Sequence, residues 1–180
     1  MTTEKEFIRH IDNKGINILE SLLGENVYTI YSPDFEISID RPNCIAASSF
    51  SISIAKSGYV IIDGDWGDTT EEGIDFHFFE ISKSKRPLNI KVKDKALFSP
   101  CIFHFALESI NAIKVFSLEI KGHAEAVKYD SAILLESVDG FQLCFSHQSS
   151  IIGMKELLYA KDEIEDKLRE MTLRLALTKD

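Results

Sequence analysis

The chain has 180 residues, a formal net charge of −9, and 44% hydrophobic and 27% charged side chains. That length buries one sizeable core, and that composition excludes a disordered chain. No segment reaches the roughly 20 consecutive apolar residues that span a bilayer as a helix.

The opening MTTEKEFIRH mixes charges of both signs and does not read as a secretory signal. Cys44, Cys101 and Cys144 are odd in number, form no CxxC pair and each lie in apolar runs. They read as buried free thiols in a reducing, cytoplasmic setting.

In chain order, Phe7, Ile8, Ile11, Ile18, Leu19, Leu22 and Leu23 recur at three- and four-residue spacing and predict an N-terminal helix. Asn13 and Gly15 can divide it in two, and Gly24 is a plausible stop. Alternating patterns then predict strands over 27–31, 35–39 and 49–54, followed by apolar strands over 59–62 and 74–81 and a basic-faced strand over 88–93.

Ser99-Pro100 has the form of an N-cap followed by a first-turn proline, which predicts a short helix over about 100–110, although CIFHFAL is aromatic enough for a strand. Residues 113–120 read as strand. Residues 132–138 and 141–145 flank Asp139-Gly140 and form the clearest hairpin, expected to close through a tight primed turn. Residues 151–158 can add a strand. Ile164, Leu168, Met171 and Leu175 predict a C-terminal helix, whereas the alternation of Leu173, Leu175 and Leu177 allows a final strand instead. The whole reads as one α+β domain over 1–180, a mainly antiparallel β-sheet flanked by an N-terminal and a C-terminal helix.

The search for chemistry returns little. GxSxG, HExxH, P-loop and GxGxxG patterns are absent from the sequence. Cys101-x-x-His104 and Cys144-x-x-His147 have zinc-ligand residue types, but i and i+3 on a strand point to opposite faces. The sequence therefore predicts a non-enzyme without a cofactor or metal.

Charge is the more informative feature. Residues 57–82 carry seven acidic and no basic side chains, whereas 83–95 carry six basic and one acidic. Asp63, Asp65, Asp68, Glu71, Glu72 and Asp75 surround the single tryptophan, Trp66, in what reads as a loop between two antiparallel strands. Asp63-x-Asp65 starts like an EF-hand loop, but Gly67, Asp68 and Ile74 fail its fifth, sixth and twelfth positions. The basic block lacks the interleaved aromatics of a nucleic-acid platform, and it reads either as facing the acidic block across neighbouring strands or as a solvated patch.

Trp66 reads either as a cap on the core edge or as a binding anchor among carboxylates. An acidic surface of that kind repels phosphates and steers cations, so the expected partner is a basic protein, not nucleic acid and not a membrane.

These features together resemble the immunity proteins of bacterial toxin–immunity pairs, including contact-dependent growth inhibition systems. The resemblance lies in the character of the chain and in Asp63, Asp65, Trp66, Asp68, Glu71, Glu72 and Asp75. It implies a non-catalytic protein that neutralises a basic, nuclease-type toxin domain through an acidic surface. The basic block at 83–95 departs from that pattern. Two other readings stand beside it. One is a small-molecule-binding or enzymatic domain with a pocket between sheet and helix, lined by Phe76, Phe78, Phe103 and Phe105. The other is an oligomeric scaffold using helix 161–175.

Overall fold

A computed structural model describes residues 5–54, 58–93, 96–98, 101–147 and 153–179. In chain order the elements are β1 (Lys5–Arg9), α1 (Asn13–Glu20), β2 (Val27–Ser32), β3 (Glu36–Ser38), β4 (Arg41–Ala47), β5 (Phe50–Ile54), β6 (Gly58–Asp68) and β7 (Asp75–Ser84). They continue with β8 (Lys91–Lys93), β9 (Ala96–Phe98), β10 (Cys101–Leu107), β11 (Ile110–Lys121), β12 (Glu125–Ser137), β13 (Gln142–His147), β14 (Lys155–Leu158), α2 (Lys161–Leu168) and β15 (Thr172–Thr178).

Most of these strands form two antiparallel sheets. The larger runs β15-β11-β12-β13-β14-β4-β3, with β1 paired parallel to β12; the smaller runs β10-β2-β5-β6-β7. β8 and β9 form a separate ribbon. The two sheets share one apolar interior, in which Ile30, Ile52, Val60 and Ile62 of the small sheet meet Ile113, Ile133 and Phe145 of the large one.

The period-2 patterns explain this layering. On β5, Phe50 and Ile52 are fully buried in the interior. The serine face is covered as well: the Leu88 backbone N–H donates to Ser51 Oγ at 3.0 Å. The two helices contribute to different apolar clusters. Asp12 caps α1 by accepting from the Gly15 N–H at 2.6 Å, and Ile18 and Leu19 join the interior between the sheets. Ile164 of α2 packs with Cys44, Ala132, Leu134, Cys144 and Leu158 in a second cluster.

Several expectations are corrected. Residues 5–9 are strand, because β12 offers an unpaired edge over Glu125–Tyr129 and β1 fills it; the helix is confined to the segment after the Asp12 cap. Residues 101–107 are strand, not helix. Cys101 and Leu107 are buried while Ile102 is exposed, and β10 pairs with β2, so the sheet edge overrides the helix-start signal. Ser99-Pro100 lies outside the described residues.

The C-terminal helix stops at Leu168, and the alternation of Leu173, Leu175 and Leu177 prevails as β15 against β11. β4 is a strand that periodicity did not signal. The β12–β13 hairpin is present, but Gly140 alone takes positive φ (84°), with Gly140 N–H donating to the Ser137 carbonyl. That is a three-residue type I plus bulge connection, not a two-residue primed turn. Of 151–158, the described strand is Lys155–Leu158.

Among the described residues no helix is long and apolar enough to cross a membrane. Cys44, Cys101 and Cys144 are buried and form no disulfide; burial pushes the Cys44 thiol to about 11 and the Cys144 thiol to about 12.

Candidate functional site

The acidic segment is mostly strand. β6 runs unbroken through Asp68, and its register with β7 continues without a shift from Tyr59–Ser84 to Asp68–Asp75. Only residues 69–74 form the turn. It is closed by the Thr69 N–H donating to the Ile74 carbonyl at 3.1 Å and the Ile74 N–H donating to Thr69 Oγ1 at 3.0 Å. Both halves of that ring are local, which fixes the hairpin tip independently of what it touches.

The seven predicted site residues divide into two groups. Two are held by bonds within the fold, although Glu72 is itself exposed. Asp63 meets Lys155 Nζ at 3.1 Å, and this ammonium, 2% exposed, also donates to the carbonyls of Ser48, Gly64 and Gly153. Glu72 folds back onto the β11–β12 turn and accepts from the backbone N–H groups of His123, Ala124 and Glu125 at 2.8–3.2 Å. These three bonds hold its carboxyl below the usual range.

Glu125 returns the contact. Its fully buried carboxylate accepts from the N–H groups of Glu71 and Glu72 and from Thr70 Oγ1. Burial alone would raise its pKa, but the hydrogen bonds outweigh burial and bring it to about 2.

The other five remain at the surface. Asp65, Trp66, Asp68, Glu71 and Asp75 are exposed, Trp66 by 41%. Trp66 is therefore not a buried cap of the core. Among the described residues no Lys or Arg pairs with these four carboxylates.

Register sets their faces, since paired residues of an antiparallel ladder share one side. Trp66 pairs with His77 and Asp68 with Asp75, so these four share a face. Asp68 and Asp75 are like charges directly opposite one another, a destabilising arrangement. Five residues nearer the base of β6, on the other face, Asp63 and Glu80 are opposed in the same way, but there Lys155 supplies the counter-charge.

The basic block lies elsewhere. Lys83, Lys85 and Arg86 are exposed at the other end of the hairpin, eight residues along β7 from Asp75 to Lys83, or about 26 Å of strand. These three cations do not face the acidic end of the hairpin.

Sequence reasoning missed a cleft beside this face. About 580 Å³ in volume, it lies between the C-terminal turn of α2 and the sheets. Its lining includes Asp75, His77, Tyr129, His147, Lys167 and Glu170. The rings of His77 and His147 stack, with centroids 5.1 Å apart and planes 19° apart, and Phe79 lies 4.1 Å from His147.

His147 is 4% exposed, and neither of its ring nitrogens has a hydrogen-bond partner; His77 Nδ1 has none either. Burial, the neighbouring His77, Lys155 and Lys167 push His147 well below 6.5. Burial also lowers His77, against the opposing pull of Asp75. Both shifts favour the neutral ring. The only sequence signal for this pair was the Cys144-x-x-His147 spacing, read there for metal.

That spacing does not make a metal centre. Cys144 packs under α2 while His147 packs against Phe79 of the small sheet, and Cys101 and His104 belong to β10 in that small sheet. Among the described residues no group of three or more metal-ligating side chains converges. The four phenylalanines of the expected pocket also separate. Phe76 and Phe78 pack around Val127 and Tyr129, whereas Phe103 and Phe105 join the main interior.

No family model matches the chain, and neither a curated protein nor a solved structure matches it.

Proposed function

We propose that this protein is a non-catalytic, cytoplasmic binding protein that neutralises a basic protein partner, a nuclease-type toxin domain, through the exposed face of the β6–β7 hairpin. The observation that supports this is the opposed pair Asp68–Asp75 beside the 41%-exposed Trp66, with no cation of the chain compensating it among the described residues. A cationic side chain of a partner relieves that repulsion, and a large rigid aromatic beside it supplies the apolar anchor found at interface hot spots. Asp65 and Glu71 extend the negative field and speed encounter.

The test is affinity capture from the source extract with the wild-type chain beside a folded Asp65→Lys, Asp68→Lys variant. The proposal expects a basic protein that is retained by wild type, inhibited by it, and lost by the variant. Equal retention by both chains contradicts the proposed surface.

A second reading, a small-molecule-binding domain, draws on the cleft between α2 and the sheets. Native mass spectrometry of the purified chain favours it if a compound is retained whose mass does not change with buffer.

A further inference from the structure

We propose that His77 is a proton-driven side-chain switch: the neutral ring stacks on His147 between the two sheets, and the charged ring leaves that stack and turns towards Asp75 at the cleft. The device goes beyond the binding role proposed above and does not depend on it.

Geometry defines the first position. His77 belongs to β7, the edge strand of the small sheet, and His147 to β13 in the large one. Their ring centroids lie 5.1 Å apart with planes 19° apart, and Phe79 lies 4.1 Å from His147. Nδ1 of His77 and both ring nitrogens of His147 are buried without a hydrogen-bond partner. A charged imidazole carries an N–H on both nitrogens. Inside the stack the N–H at Nδ1 of a charged His77 meets no acceptor, and a buried charge without a partner is costly.

The charges around the pair act in the same direction. Lys155 Nζ is fixed by Asp63 and by the carbonyls of Ser48, Gly64 and Gly153. Lys167 is fixed by Glu156 at 3.2 Å and by the His147 carbonyl at 2.8 Å. Both ammonium groups disfavour a proton on either ring, and these bonds keep them from withdrawing. Tyr129, which also lines the cleft, is kept neutral by burial. At the end of α2, Arg169 is committed to Asp166, and Glu170 lines the same cleft. Asp75 acts the other way and favours a proton on His77.

Asp75 also sets where the charged ring goes. It lies two residues before His77 on β7, so the two side chains share a face. Both line the cleft of about 580 Å³, which gives the ring room to turn. Asp75 is exposed and has no Lys or Arg partner among the described residues. His147, 4% exposed, is enclosed, whereas His77 is only half-buried, so His77 is the ring that moves. A proton shifts this equilibrium because the two positions bind it unequally.

The test uses the full chain with labelled histidine and phenylalanine rings, titrated from about pH 7.5 to about 4.5, which brackets the ordinary histidine value, and read by NMR. His77 is expected to titrate below the ordinary 6.5. The nuclear Overhauser contacts between His77 and His147 should disappear with the same midpoint, while those between Phe79 and His147 persist and the amide signals of β5 and β11 stay native. Asp75→Asn should move the midpoint to lower pH, because it removes the charge that favours the proton. His77→Phe, which cannot charge, should keep its contacts with His147 throughout. Survival of the His77–His147 contacts once His77 is charged overturns the proposal. So does a midpoint unchanged or raised by Asp75→Asn, or a loss of native amide signals at the His77 midpoint, which marks acid unfolding. The wild-type chain alone decides the first and last of these, so a variant that fails to fold leaves the test intact.

Discussion

Glu72 and Glu125 cap each other's backbone. Glu72, in the turn between β6 and β7, accepts from the N–H groups of residues 123–125, and Glu125, at the start of β12, accepts from those of residues 71 and 72. The side chains thereby bind the tip of the small sheet's hairpin to the large sheet. Lys5, which donates to Thr70 Oγ1 at 2.8 Å and lies 3.7 Å from Glu125, draws β1 into the same junction. Gly122 leaves the room: a Cβ there would lie 2.1 Å from Glu72 Oε2. The junction holds the exposed face of Trp66, Asp68 and Asp75 in a fixed orientation, which lowers the ordering cost of binding.

Glu125→Gln should loosen this junction. An amide oxygen accepts more weakly than a carboxylate, and the new NH₂ faces the N–H groups of residues 71 and 72. The expected outcome is a lower Tm and faster hydrogen exchange at the amides of 71, 72 and 123–125, with the exchange of β5 unchanged. Because the folded pKa of Glu125 lies at about 2, below the ordinary 4.5, its contribution is complete above pH 4.5 and is lost as the pH falls towards 2. Chemical denaturation across that window checks it, and Glu125→Gln should flatten the dependence.

The stacked histidines predict a second, higher window. The folded state disfavours protons on His147, so the unfolded chain binds more of them. Stability is complete above about pH 6.5 and declines as the pH falls below it. Lys155 and Lys167 reinforce this direction, and Asp75 opposes it at His77. His147→Phe keeps a ring against Phe79 without the unpartnered nitrogens. It should remove most of the loss between pH 6.5 and 5, measured by denaturant titration at each pH.

Much of the fold was legible because its strands alternate cleanly. Phe50-Ser51-Ile52-Ser53-Ile54 and the Asp139-Gly140 hairpin needed no knowledge of neighbours. What failed were segments decided by a distant edge. Phe7 and Ile8 fit a helix until the open side of β12 is present, and CIFHFAL followed a convincing helix start until β2 is beside it. The candidate site was legible as a charge window but not as a geometry. Sequence cannot show that Glu72 turns inward to residues 123–125 or that Asp63 neutralises Lys155, because those partners lie more than 50 positions away. The His77–His147 stack joins two sheets across 70 residues and had no local signature.

Gly64 should not tolerate a side chain. A Cβ there would lie 2.1 Å from the Phe78 carbonyl oxygen, and the Gly64 carbonyl is itself an acceptor for Lys155 at 2.7 Å. Gly64→Ala should cost roughly 1–3 kcal/mol through forced displacement of β6 from β7, read from the denaturation midpoint at constant m-value.

Phe145→Ala tests the shared interior. Phe145 is fully buried, with its ring centroid 5.5 Å from that of Phe50 in the facing sheet. The expected loss is about 3–5 kcal/mol. A loss near zero would mean that the two sheets do not pack through this pair.

The central claim is that the exposed tip of the β6–β7 hairpin, around Trp66, Asp68 and Asp75, receives a basic partner. Hydrogen–deuterium exchange of the chain, alone and with the captured partner, tests it most directly. The account predicts added protection over residues 65–75 and none at β3 on the far edge of the large sheet. Protection at β3 with residues 65–75 unchanged would contradict it.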